Sequence, residues 1–138
     1  MQPIPYIFFK NQARDAFTFW AEVFGVDAPE IMDGTQMPDS DRIPGMAPET
    51  VMHAALKIGS GWIYGSDDPS DGEGPVMSGC NVYVDLPTFE EAKRVFDALS
   101  EGGEVRMPFE ATFWSPGFGT LSDKFGVRWM VSITDEAG

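Results

Sequence analysis

The sequence predicts an α+β fold built from two βαβββ modules, and three observations carry that reading. Two segments place apolar residues at helical spacing: Ala13, Ala16, Phe17, Trp20, Val23 and Phe24 in the first half, Phe89, Ala92, Val95, Phe96 and Leu99 in the second. Each follows a short strand-like run and precedes about three more. The two halves also align. Pro5 to Trp20 overlays Asn81 to Phe96, so that Ala16 meets Ala92 and Trp20 meets Phe96, and Gly59 and Trp62 overlay Gly126 and Trp129.

In order, Ile4 to Phe9 reads as a strand and Asn11 as the cap of the first helix, which Gly25 stops. Residues 27 to 33 form a short strand. Thr35 to Thr50, rich in Pro, Gly, Asp and Met, reads as a loop with room for one helical turn. Val51 to Ile58 and Trp62 to Ser66 are strands joined by the tight turn Gly59-Ser60-Gly61. The Gly, Pro and Asp residues between Asp67 and Pro75 mark the linker between a first module of about 1–67 and a second of about 78–138, within one 138-residue domain.

In the second module, Asn81 to Leu86 is a strand. Thr88 and Glu91 make a capping box for a helix that ends by Gly102. Glu104 to Phe109 is a strand. The stretch Glu110 to Ile133 then supplies a strand pair, about 119–122 and 127–133. Asp123-Lys124-Phe125-Gly126 is its turn, and Gly117, Gly119 and Gly126 stand where the backbone turns.

Composition excludes several classes of function. A net charge of −13 with only 9 Lys and Arg leaves no basic stripe for nucleic acid or an anionic membrane surface. No apolar run approaches the roughly 18 residues of a membrane span. A single cysteine, Cys80, permits no internal disulfide and no cysteine-based zinc site. It opens a strand and is expected to be an inert buried thiol. With no basic leader at the N-terminus, the protein is expected in a reducing cytoplasm.

Four pieces of the chain, PYIFF, AFTFWAEVFG, MHAALKIG and TFWSPGFGTLSDKFGVRWM, make it resemble the PhnB-like group of the vicinal oxygen chelate superfamily, which includes glyoxalase I, extradiol dioxygenases and bleomycin-resistance proteins. The likeness spans nearly the whole chain, and the last piece is the most specific. It implies curved mixed sheets forming a cup, and a homodimer. Enzymes of the superfamily bind a divalent metal with ligands from the first and last strand of each module. The matching positions fall near Pro5 and Asn81 and near Ile63 and Met130. None is a histidine or carboxylate, so no metal site and no cofactor are expected. Some relatives carry a ubiquinone-related methyltransferase label, but no glycine-rich strand-to-helix loop stands ready for a nucleotide-like cofactor.

His53, the only histidine, is the catalytic candidate. It reads either as a general base or ligand-orienting group, or as a histidine hydrogen-bonded to a neighbouring strand. The family's MHAEL motif is MHAAL here, so Ala55 replaces the carboxylate nearest His53. Strand alternation assigns Asn81, Tyr83, Arg128 and Met130 to the cup as ligand-binding residues, with Trp114 at its mouth. Asp85 and Arg128 share that face and are expected to pair. Trp20, Trp62 and Trp129 are assigned to helix–sheet packing. Met37, Met46 and Met52 suit an adaptable apolar wall, a dimer contact or core filling. Two functions follow: a metal-independent small-molecule binding protein, or a divergent isomerase, lyase or transferase using His53 with Arg128 or Lys57 as anion holder. A third, an interaction module without a pocket, requires the 35–50 loop to fill the cup. The sequence names neither the small molecule nor the reaction.

Overall fold

A computed structural model describes residues 1–38, 46–68 and 76–134. The chain divides into two compact units, Met1–Pro75 and Val76–Gly138. The first holds β1 (Tyr6–Phe9), α1 (Ala13–Phe24), β2 (Glu30–Asp33), β3 (Val51–Ile58) and β4 (Gly61–Asp67). The second holds β5 (Val82–Leu86), α2 (Phe89–Ser100), β6 (Glu104–Glu110), β7 (Phe118–Ser122) and β8 (Arg128–Ile133). Each unit is βαβββ, and each makes an open four-stranded mixed sheet, in the orders β1-β4-β3-β2 and β5-β8-β7-β6. In both, the first strand runs parallel to the last and the other pairs are antiparallel.

Each helix covers one face of its own sheet. Phe17 and Trp20 of α1 are fully buried, with the Phe9 ring 6.2 and 5.9 Å from theirs. Gly65 of β4 allows this close approach, because a Cβ there would lie 2.9 Å from the Phe17 ring and 2.6 Å from the Ile7 carbonyl oxygen. In the second unit Trp129, Val131 and Leu121 are buried beneath α2. Gly25 ends α1 with φ of 64°, its N–H donating to Glu22. Thr88 caps α2 by accepting from the Glu91 N–H at 3.2 Å, as the capping box predicts. Phe89, expected inside, is 44% exposed, and its ring packs against Phe109 at 5.2 Å.

Two expectations about local chemistry are corrected. Asn11 does not cap α1: it takes a left-handed φ of 61°, and Gln12 occupies the cap position with no side-chain bond. A carboxylate 54 residues away does the work instead, Asp67 Oδ1 accepting from Ala13 N at 3.0 Å. Gly119 is not a turn residue either. It lies within β7, where a Cβ would stand 2.7 Å from the Phe96 ring and 2.9 Å from the Phe109 backbone. Gly126 does turn the chain, with φ of 83°. The loop expected over 35–50 opens with a 3-10 turn, Gly34–Gln36, but its residues 39–45, like linker residues 69–75, lie outside the described residues.

The overlay of the two halves also needs a one-residue correction. The β3–β4 hairpin closes on Ile58 and Gly61, a pair on the helix side, whereas the β7–β8 hairpin closes on Ser122 and Arg128, a pair on the opposite side. Superposing the turn glycines therefore superposes opposite faces. Trp129 lies under its helix, but Trp62 faces away from α1. Ile63, matched to Met130, is buried on the helix side, and the averted positions of the first unit are Tyr6, Trp62 and Tyr64.

Candidate functional site

The face of the first sheet turned away from α1 carries a strip of rings. Parallel pairing sets Tyr6 of β1 beside Tyr64 of β4, and antiparallel pairing sets Tyr64 beside Ala55 of β3, two residues after His53. Tyr6 lies 5.2 Å from Phe8 and 5.8 Å from the His53 ring. His53 meets Tyr64 edge-on at 4.9 Å, and Tyr64 meets Trp62 at 6.2 Å. The Tyr6 hydroxyl stands 3.4 Å from His53 Nδ1, with the donor set by the imidazole tautomer. The strip is open to solvent, Tyr6 being 43% and Phe8 54% exposed. Its Trp62 end borders a cleft of about 490 Å³, lined also by Val26, Asp27, Glu30, Ala55 and Lys57. Trp62 is thus a wall of this cleft and not a packing residue under the helix.

Nearby, Asp33 at the end of β2 is anchored from three groups. It accepts from the Thr35 hydroxyl and N–H and from Arg14 at 2.8 Å. The Thr35 bonds, then Arg14, hold its carboxyl below the ordinary aspartate range. Its carboxyl thus ties Thr35 and Arg14 to the end of β2.

On the second sheet the averted face gathers four of the sequence-assigned ligand residues. Tyr83 of β5 is the register partner of Met130 of β8, and Asn81 and Arg128 each lie two residues before them. Trp114 is held elsewhere in the unit, in the loop after β6, edge-on to Phe113 at 4.7 Å and Phe118 at 5.6 Å. Asp85 does not pair with Arg128, because it lies level with Ser132, roughly 13 Å further along β8 at the usual strand rise. Cys80 is exposed, not buried, and its Sγ approaches only the Asn81 carbonyl, at 4.0 Å.

The donor chemistry does not fit the superfamily's divalent metal. The averted positions of first and last strands offer phenols, an indole, an amide, a thioether, a guanidinium and a single carboxylate, Asp85, a set that holds a hard cation poorly. Among the described residues no three His, Cys, Asp or Glu side chains cluster to bind one. A nucleoside-type methyl donor fits no better: β1 reaches α1 through Lys10-Asn11-Gln12 and β5 reaches α2 through Pro87-Thr88, with no glycine in either turn.

Sequence reasoning singled out His53 but not Tyr6, Tyr64 and Trp62, the rings that the strand pairing sets in line with it. The signal was present in the alternation of β4, where Trp62, Tyr64 and Ser66 share one face. It was lost because the repeat was overlaid one residue out of phase.

A family model described as 3-demethylubiquinone-9 3-methyltransferase matches residues 2–132. Protein YjdN of Escherichia coli strain K12 is 33% identical over 140 residues, spanning 96% of this chain and 95% of YjdN. The solved structure of PA1353 from Pseudomonas aeruginosa is 36% identical with a TM-score of 0.80, over 96% of this chain and 97% of that one. The PhnB protein from Bacillus cereus is 25% identical with a TM-score of 0.78, over 97% and 100%.

Proposed function

The chain belongs to this 3-demethylubiquinone-9 3-methyltransferase family, the PhnB-like branch of the vicinal oxygen chelate fold, and on that footing we propose that it is a metal-independent small-molecule binding protein. The carrying observation is the strip Phe8–Tyr6–His53–Tyr64–Trp62 beside a cleft of about 490 Å³. Five rings on one sheet face, with Lys57, Asp27 and Glu30 at the rim, suit a flat, largely apolar molecule bearing one or two polar groups. The second unit is a separate candidate surface, with Asn81, Tyr83, Arg128 and Met130 on its averted sheet face and Trp114 in the loop after β6. A homodimer is part of this reading, because among the described residues each sheet leaves its edge strands unpaired, β1 and β2 in one and β5 and β6 in the other, and a reducing cytoplasm suits its single cysteine. Among the described residues no helix is long and apolar enough to cross a membrane.

The test is a thermal-shift screen of planar aromatic compounds on chelator-treated protein, followed by titration of the best of them. Trp62→Ala and Tyr64→Ala are each expected to weaken binding about tenfold, since a ring contact adds about 0.5–1.5 kcal/mol beyond its buried area. A shift that appears only with an added divalent ion, or that survives both substitutions, overturns the reading.

A second reading rests on one specific observation, the Tyr6 hydroxyl 3.4 Å from His53 Nδ1. That pair can relay a proton at the imidazole, which an enzyme needs and a simple binder does not. Tyr6→Phe separates the two. It leaves binding within about twofold under the first reading, because the ring remains, and removes turnover of any bound compound under the second.

A further inference from the structure

A separate feature lies on the second sheet, in a row running across β8, β7 and β6. Arg128 and Ser122 are register partners on the face averted from α2, so their Cβ atoms stand about 4.5–5.5 Å apart. Arg106 of β6 reaches the same point and donates through Nη2 to Ser122 Oγ. One arginine thus bonds the Ser122 hydroxyl, and a second stands on the neighbouring strand as the register partner of the same serine. Arg128 Nε is buried and has no hydrogen-bond partner among the described residues. Its backbone N–H is committed to Met77 Sδ at 3.2 Å.

The charge pattern makes this arrangement unusual. The chain carries 22 acidic residues against 9 Lys and Arg, so an arginine on its surface has many carboxylates to choose from. Among the described residues, ion pairs join Arg14 to Asp33 and Lys93 to Asp97, and neither Arg106 nor Arg128 takes part in one. Glu104 is the β6 register partner of Ser122, yet it too is exposed and unpaired with them. A buried donor left without a partner costs stability. Two neighbouring cations that no carboxylate bonds repel each other, and Glu104, though next in the row, bonds neither. Both costs fall away when an anion sits between them. The donors suit an oxyanion: arginine presents parallel N–H groups that match carboxylate or phosphate oxygens two at a time. Ser122, having accepted from Arg106, keeps its own O–H to donate. Asn81 precedes Val82 as Arg128 precedes Trp129 in the β5–β8 register, which sets its amide on the same face as a further candidate donor.

We infer that Arg106, Ser122 and Arg128 form an oxyanion-binding subsite, taking a carboxylate or phosphate-type group. The inference does not depend on the aromatic strip of the first unit, and its test is arranged so that the two fail separately.

The wild-type protein is titrated with inorganic phosphate, and in parallel with acetate, against chloride at matched ionic strength, following thermal stability and the backbone amide NMR signals of β7 and β8. Either oxyanion is expected to raise the melting temperature above chloride and to move the Ser122 and Arg128 signals. A response to phosphate alone assigns the phosphate class, and a response to acetate as well assigns carboxylates too. Arg106→Gln and Arg128→Gln are each expected to weaken binding about tenfold or more, the worth of a charge-assisted hydrogen bond. Arg106 is exposed, so its substitution leaves the fold intact even if that of Arg128 does not. Trp62→Ala is expected to leave the anion response unchanged. If chloride acts as well as the oxyanions, or if the response persists in Arg106→Gln, the subsite does not exist.

Discussion

Asp123→Ala is expected to cost the second unit at least about 3 kcal/mol, counting about 1 kcal/mol for each of three donors left without an acceptor. Asp123 is 3% exposed at the end of β7. Its Oδ1 accepts from the N–H groups of Phe125 and Val127 at 2.9 and 3.0 Å, and its Oδ2 from the Trp129 indole N–H at 2.9 Å. One carboxylate therefore ties the β7–β8 turn to the largest side chain under α2. Against a domain stability of about 5–15 kcal/mol, the loss is a large fraction. It is expected to lower the melting temperature by about 10 °C. Asp123→Asn keeps one acceptor for the turn and sets an amide donor against the indole, so an intermediate loss is expected. A double-mutant cycle with Trp129→Phe isolates the indole bond. A coupling of about 1–2 kcal/mol is expected, within the usual range for directly bonded partners. Additive losses would mean that Asp123 acts on the turn alone.

The elements were legible because they depend on local pattern. Helical spacing of Ala13, Phe17 and Trp20 and of Ala92, Val95 and Leu99 is visible in the residues themselves, as are the Thr88 cap and the Gly25 and Gly126 turns. What escaped depends on which strands become neighbours. Asn11 is the residue type that caps helices, but Asp67 of β4 already satisfies the Ala13 N–H, and no local signal connects positions 13 and 67. Gly119 looked like a turn because glycine is common in turns. Its need is space, created by Phe96 and Phe109 from two other elements. The candidate site followed the same rule. His53 was found as a lone histidine on an alternating strand, but its partners Tyr6 and Tyr64 come from β1 and β4, brought beside it by a parallel and an antiparallel pairing. The superfamily likeness supplied the fold without correcting the phase, since a one-residue shift preserves every element while exchanging the two faces of a strand.

Asp67 links that phase to the site, and Asp67→Ala is expected to cost about 3–5 kcal/mol. The residue is 5% exposed. Its Oδ1 accepts from Ala13 N, the first residue of α1, and its Oδ2 from Val51 N, the first residue of β3, both at 3.0 Å. Removing the carboxylate leaves two buried donors without an acceptor, at about 1–3 kcal/mol each. It also removes a negative charge from the positive end of a helix, worth about 0.3–1 kcal/mol. The consequence for function is positional. Val51 starts the strand that carries His53 two residues later, so Asp67 sets where β3 begins against β4 and where the imidazole meets Tyr6 and Tyr64. Asp67→Asn retains one acceptor and is expected to fold, with β3 loosened at its start. As His53 is the only histidine, its ring signals are read by proton NMR without ambiguity. They are expected to move in Asp67→Asn and to stay in place in Asp123→Asn, whose bonds to Phe125, Val127 and Trp129 lie in the second unit. Unmoved His53 signals in a destabilised Asp67→Asn would show that α1 capping alone accounts for the cost, and that the ring strip is held by the pairing of β1, β3 and β4 without it.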